Sequence, residues 1–328
     1  MAKRTSRTRK VLYIIAFLII VAGTVFAFGP RPVADTGIDF VESSLPEDLD
    51  QYIDQSEARF DDLRPGNERQ IVWAYPASRA RTPISIVYVH GFSASPAEIR
   101  PLPDLVGRRL GANIFYARLK GHGRSGDAML EGSVHAWVND LAEALAIGRR
   151  LGERVVIIAT STGASLTTWA ATRPDLMRDV IGMVQISPNY GVQAAGSSLL
   201  AMPWAEKLVP LIAGERRSFE PQNEKQARFW THEYPSLALL PMASLVKLAN
   251  AVDASRITVP SLFIYSPQDQ VIQPDLVKAM AEKWGGAKDM VEVSDSDDPN
   301  HHVIAGDALS PGTTERLAGY AADWISKL

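Results

Sequence analysis

Cysteine is absent from the sequence, which removes disulfides, thiolate metal sites and a cysteine nucleophile together. Positive charge exceeds negative in one place only. The net charge is −3, and Lys3, Arg4, Arg7, Arg9 and Lys10 are gathered at one end of the chain. What remains is mildly acidic and lacks the basic face that nucleic acid requires, so nucleic acid is excluded as a partner. Repeats are missing as well, and so are the composition biases of collagen, coiled coils or disorder.

Long apolar runs are missing too, except at 11–28, which is uncharged and bounded by the basic cluster and by Gly29-Pro30. As a helix this run rises about 27 Å, close to the roughly 30 Å hydrocarbon core of a bilayer. Two readings compete. A cleaved signal peptide has a shorter apolar region and a small-x-small site, for which Val25-Phe26-Ala27 is a mediocre match. An uncleaved anchor fits the length better, with the basic tail 1–10 cytoplasmic and the rest exported. Residues 29–69, rich in Asp, Glu, Pro and Ser, then read as a linker to a folded domain over 70–328.

Within that domain short apolar runs alternate with amphipathic segments of helical length. Strands are expected at 71–75, 84–90, 113–119, 154–160, 180–187, 259–266 and 289–293. Runs such as Val155-Val156-Ile157-Ile158-Ala159 are apolar on both faces, as in a parallel sheet covered by helices. Helices are expected from Pro96 to near Gly111, over 135–151 behind a Ser133 cap, and at 163–172, 274–284 and 313–327. The alternation predicts an α/β fold with a mostly parallel, doubly wound sheet. Between 187 and 259 the rhythm breaks for far longer than the two to six residues of an ordinary loop. That interval, about 189–256, reads as an inserted helical lid.

The chemistry gathers at strand ends. The segment Ala159-Thr160-Ser161-Thr162-Gly163 joins a buried strand to a helix, as a G-x-S-x-G nucleophile elbow does. Ala159 replaces the first glycine and Gly163 keeps the second. Ser161 is the candidate nucleophile; the bland alternative is a helix-capping serine. His90-Gly91-Phe92 follows the strand 84–90, where an elbow fold supplies an oxyanion amide. The Phe92 and Thr162 N–H groups are the candidate donors, and His90 reads as a structural histidine. Asp269 follows the strand 259–266, from which it can orient an imidazole, and a loop after 289–293 delivers His301-His302. The order Ser, Asp, His is that of the same fold. Adjacent histidines point in different directions and lack a metal-ligand spacing, even with Asp295, Asp297 and Asp298 nearby. No metal or cofactor is expected.

The residues so placed resemble the α/β-hydrolase superfamily over about 70–328. The chain is most similar to the branch of monoacylglycerol lipases, serine aminopeptidases and carboxylesterases. The resemblance rests on His90-Gly91-Phe92, Arg118-Leu119-Lys120-Gly121-His122-Gly123-Arg124-Ser125, the Ser161 elbow, Tyr265-Ser266-Pro267-Gln268-Asp269 and His301-His302-Val303-Ile304. It implies a Ser161–His302–Asp269 triad acting through an acyl-enzyme. His302 is preferred to His301 because the His-Val-Ile trio matches the branch. No role passes to His122.

Such a triad serves several chemistries. Two apolar clusters in the inserted interval, Leu199 to Leu211 and Leu237 to Leu248, pack against the core or line an acyl pocket. With an anchor, the second reading points to small-molecule or lipid esters, such as monoacylglycerols or lysolipids. A peptidase would want a carboxylate for the substrate amine; Glu206, Glu215, Glu220, Glu224 and Glu233 are the candidates. A non-catalytic exported binding protein is the rival of another class.

Overall fold

The computed structural model describes residues 2–328, and for residues 2–6 the backbone alone. Met1 and the side chains of Lys3 and Arg4 from the basic cluster lie outside the described residues. The chain runs through α1 (Ala2–Ala27), α2 (Leu49–Glu57), β1 (Gln70–Val72), β2 (Thr82–Val89), α3 (Leu102–Leu110) and β3 (Asn113–Tyr116). It continues with α4 (Val134–Leu151), β4 (Gly152–Thr160), α5 (Thr162–Ala170) and β5 (Val180–Ile186). An insertion follows, holding α6 (Ala205–Ala213), β6 (Arg216–Ser218), α7 (Glu224–Phe229), β7 (Glu233–Pro235) and α8 (Leu239–Asn250). The domain closes with β8 (Ser261–Tyr265), α9 (Pro274–Lys283), β9 (Lys288–Glu292) and α10 (Pro311–Ile325).

Seven strands form one sheet in the order β1-β3-β2-β4-β5-β8-β9. All neighbours are parallel except β1, which pairs antiparallel with β3. Alternation along the central strands divides the core in two. Val87, Val89, Val155 and Ile157 join one cluster, with α4, α5 and α8. Ile86, Tyr88, Val156 and Ile158 join the other, with α3 and α10. This is the mostly parallel α/β sheet expected from the strand and helix rhythm, and the α/β-hydrolase architecture that the resemblance implies. β6 and β7 make a separate small ribbon in the insertion.

Local expectations hold in part. Ser133 caps α4 by accepting the Ala136 N–H at 3.0 Å. The helix expected from Pro96 begins only at Leu102, because Pro101 lacks an N–H and keeps Arg100 out of helical geometry. The edge strand β9 is largely exposed rather than covered on both faces.

The segment 29–69 departs furthest from expectation, since it is not a free linker. Leu45, Leu49 and Ile53 are buried in the same cluster as α4. Its acids are partners for distant arginines: Glu42 for Arg149, Glu57 for Arg69 and Arg118, and Asp62 for Arg124. Local composition signals solvation, but all but one of the cations that neutralise these carboxylates lie beyond the segment.

Residues Arg7–Ala27 form a helix long and apolar enough to cross a membrane, and its apolar side chains, Phe17 and Ile20 among them, are exposed. The insertion meets its end. Trp204 donates its N–H to the Pro30 carbonyl at 2.7 Å and its indole N–H to the Val25 carbonyl at 3.1 Å.

Candidate active site

The loops after β2, β4, β8 and β9 all leave the sheet at the carboxyl ends of parallel strands, where open α/β sheets gather their functional groups. β4 passes into α5 within one residue, Ser161, whose φ is 51° and ψ −117°. That conformation is strained for a residue with a side chain. The turn is held by Ser161 N–H donating to the Ile186 carbonyl at 2.9 Å and by Asn189 N–H donating to the Ser161 carbonyl at 3.1 Å. Gly163 permits the close approach of α5 to β2: a Cβ there would stand 2.5 Å from the carbonyl oxygens of both Val89 and His90.

Ser161, His302 and Asp269 form a hydrogen-bonded chain. Ser161 Oγ lies 3.1 Å from His302 Nε2, and His302 Nδ1 lies 2.7 Å from Asp269 Oδ2. A carboxylate only accepts, so Nδ1 carries the proton and Nε2 is left as the acceptor for the serine hydroxyl. Asp269 is fixed on its other oxygen, where Oδ1 accepts the Val271 and Ile272 N–H groups at 2.7 and 2.9 Å. Burial opposes the imidazolium, but the charge and hydrogen bond of Asp269, aided by Glu98 and Asp298, carry His302 above the ordinary histidine pKa.

His301 turns away. It has a φ of 51°, and its Nδ1 meets Ser296 Oγ at 3.0 Å. Asp298, considered from sequence only among possible metal ligands, instead shapes the histidine loop. Its Oδ2 accepts the His302 and Val303 N–H groups at 3.1 and 2.9 Å. Asp295 pairs with Arg316, and Asp297 accepts the Gly312 N–H. An acid two to five residues before amides that need fixing is a turn signal legible in sequence.

The His90-Gly91-Phe92 loop abuts the serine: a Cβ on Gly91 would stand 3.1 Å from Ser161 Cβ. Thr162 opens α5, so its N–H has no acceptor within the helix. His90 is structural. Its Nδ1–H donates to the Gly91 carbonyl at 2.8 Å and its Nε2 accepts the Leu119 N–H at 3.0 Å. Burial holds His90 well below the usual histidine range, and burial likewise brings His122 down to about 4.

The insertion bears on this loop. Thr231 N–H donates to the Ser93 carbonyl at 2.7 Å, and the Phe92 ring meets Tyr234 edge-on at 5.5 Å. Met129, Tyr234 and Ala238 form a small apolar cluster against Phe92 and Leu239. Much of the apolar sequence in the insertion is core: Leu240, Met242 and Leu245 are buried with α5, whereas Leu211 is exposed. Glu206, Glu215, Glu220, Glu224 and Glu233 are all exposed. A cavity of about 680 Å³ beside Trp169, Met177 and Arg256 contains none of the three chain-forming residues.

Known proteins agree with this architecture. Residues 84–296 match the family described as serine aminopeptidase, S33. A thermostable monoacylglycerol lipase from Bacillus sp. (strain H-257) is 25% identical over 250 residues, covering 76% of this chain and 94% of that protein. Among solved structures, one from work on two metagenome-derived lipolytic enzymes, LipS and LipT, superposes with a TM-score of 0.67 at 20% identity, covering 81% of this chain and 100% of that one. A soluble variant of monoglyceride lipase from Saccharomyces cerevisiae gives a TM-score of 0.59 at 12% identity, covering 79% and 90%. By fold and by sequence the chain belongs to the serine aminopeptidase (S33) family of α/β hydrolases.

Proposed function

We propose that the protein is a membrane-anchored serine hydrolase that cleaves carboxylic esters with apolar acyl chains, of the monoacylglycerol or lysolipid class. The observation that carries this reading is the chain from Ser161 through His302 to Asp269 at a strained strand–helix turn. Ser161 Oγ attacks the ester carbonyl as its proton passes to His302 Nε2. Asp269 holds the imidazole tautomer and stabilises its cation. The Phe92 and Thr162 N–H groups receive the oxyanion, where each fixed donor is worth a few kcal/mol. His302 returns the proton to the departing alcohol, and water then repeats the sequence on the acyl-enzyme.

An ester substrate is favoured over a peptide by the exposure of all five glutamates suited to a substrate amine. The apolar cluster around Phe92 and Tyr234 and the relation to a monoacylglycerol lipase favour an acyl chain. α1 serves as the anchor, the insertion as a lid, and the body lies on the exported side. Ser161 is 6% and His302 8% exposed, and in this reading movement of the lid admits the substrate.

The test is a fluorophosphonate probe applied to the detergent-solubilised full chain, with the adduct located by peptide mass spectrometry. Labelling at Ser161 that is lost on heat denaturation is expected. A folded protein left unlabelled at Ser161 by both this and a smaller organophosphate probe overturns the reading.

A further inference from the structure

A carboxyl group unused in the acyl-transfer scheme is buried against the site. Glu98 lies between β2 and α3 and is 2% exposed. Its Oε2 accepts the Gly91 N–H at 2.8 Å and the Tyr88 hydroxyl at 2.9 Å. The Tyr88 hydroxyl is also 3.3 Å from Oγ1 of Thr160, the residue before Ser161. Oε1 borders the same glycine: a Cβ on Gly91 would stand 2.8 Å from Glu98 Oε1 and 3.1 Å from Ser161 Cβ. Gly91 is therefore pinched between Glu98 and Ser161, and the next peptide unit carries the Phe92 N–H. Burying an acid is costly unless it is hydrogen-bonded, and here the bonds go to the two residues that shape this edge of the site.

We propose that Glu98 is a positioning residue for acyl transfer, clamping Gly91 so that the Phe92 N–H meets the oxyanion. The inference rests on the Ser161–His302 reading given above. The ionisable groups bearing on His302 are Asp269 from the loop after β8, Asp298 from its own loop, and Glu98 from the segment after β2. Tyr88 and His302 face Glu98 in turn. Burial pushes the Glu98 carboxyl up, against the Gly91 and Tyr88 hydrogen bonds and the His302 charge, which favour the anion.

Glu98→Leu and Glu98→Gln in the full-length protein in detergent test this with p-nitrophenyl butyrate. The leucine variant is expected to lose about 10- to 100-fold in kcat, the scale of a misplaced catalytic group, with KM within about threefold. Glutamine keeps an oxygen able to accept both hydrogen bonds, so most of kcat returns. A leucine variant with wild-type kcat overturns the inference, as does a glutamine variant as slow as leucine. If the leucine variant does not fold, Glu98→Ala is read in its place, and wild-type kcat in that variant overturns the inference. Ser161→Ala run in parallel separates the two ideas: turnover surviving in that variant sinks the acyl-transfer reading itself, whatever Glu98 does.

Discussion

His302 Nδ1 and Asp269 Oδ2 are 2.7 Å apart, joining two loops that leave neighbouring strands, β8 and β9. The bond fixes both the ring's orientation and its tautomer, while the adjacent His301 is directed to Ser296. His302→Ala is therefore expected to abolish ester turnover, and Asp269→Asn to lower kcat by about 10⁴-fold through the wrong tautomer. His301→Ala should stay within a few-fold of wild type. Steady-state rates and melting curves on the three variants decide, and an inactive, folded His301→Ala reverses the choice of base.

The pH profile follows from the same pair. Only neutral His302 can accept the serine proton, and Asp269 raises its pKa above the ordinary value of 6.5 despite burial. Activity should therefore fall on the acid side along a limb centred above that value. Measuring kcat/KM from pH 5 to 9 checks this; a limb below the ordinary histidine value contradicts the assignment. The same shift has a stability consequence. His302 contributes stability below its unfolded pKa and loses it as pH rises through the folded one.

Gly163 and Ala159 flank Ser161 with unequal tolerance. A methyl at 163 would meet the backbone oxygens of Val89 and His90 at 2.5 Å, and backbone cannot yield as a side chain can. Gly163→Ala should cost about 1–3 kcal/mol or more in overpacking and at least tenfold in kcat by displacing the elbow. Ala159→Gly should change kcat little. Urea unfolding and initial rates on both variants test the asymmetry, and a fully active Gly163→Ala refutes it.

What was legible in the sequence follows from locality. The run Val155 to Ala159 ending on Ser161 announces a buried strand, and Gly163 an immediate helix, because strand period and steric need are written in neighbouring residues. The preference for His302 over His301 comes only through the family resemblance of His302-Val303-Ile304, because the backbone direction that separates them, with the positive φ of His301, is not displayed by residue type. The packing of the segment 29–69 is hidden for a related reason. Its acids look solvated until Arg69, Arg118, Arg124 and Arg149 are brought to them. Glu98 gave no local sign, since only the folded chain shows both Gly91 N–H and the Tyr88 hydroxyl converging on it.

Glu57 shows what that segment contributes. Its two oxygens accept from Nε and Nη2 of Arg118, each at 2.8 Å, and Glu57 and Arg118 are both 6% exposed. Burial raises the Glu57 pKa, but the Arg118 hydrogen bond and charge, joined by Arg69, bring it below its ordinary value. Its stabilisation is thus present above the unfolded carboxylate pKa and lost as pH falls through the folded one. Glu57→Ala strands a buried guanidinium and should cost about 3–5 kcal/mol. Denaturant midpoints at pH 7 measure the loss; a change under about 1 kcal/mol would mean that solvent or relaxation rescues Arg118.

The proposed anchor makes a prediction that the lack of cysteine renders easy to test. Helix α1 exposes its apolar side chains and is long enough to cross a bilayer, so the full chain should stay with membranes through alkaline carbonate extraction. Deleting residues 1–28 should release it. If the helix is retained as an anchor, the intact mass of the membrane-bound protein includes those residues; a mass beginning after Ala27 would establish cleavage instead. Sidedness follows from the charge at Arg7, Arg9 and Lys10, which favours retention of that end in the cytoplasm. A single cysteine introduced at Glu215, exposed in the insertion, should react in intact cells with a membrane-impermeant maleimide once any outer barrier is permeabilised. One introduced at Arg9 should react only after the inner membrane is opened. The reverse pattern would put the catalytic body in the cytoplasm and change which lipid leaflet supplies its substrate.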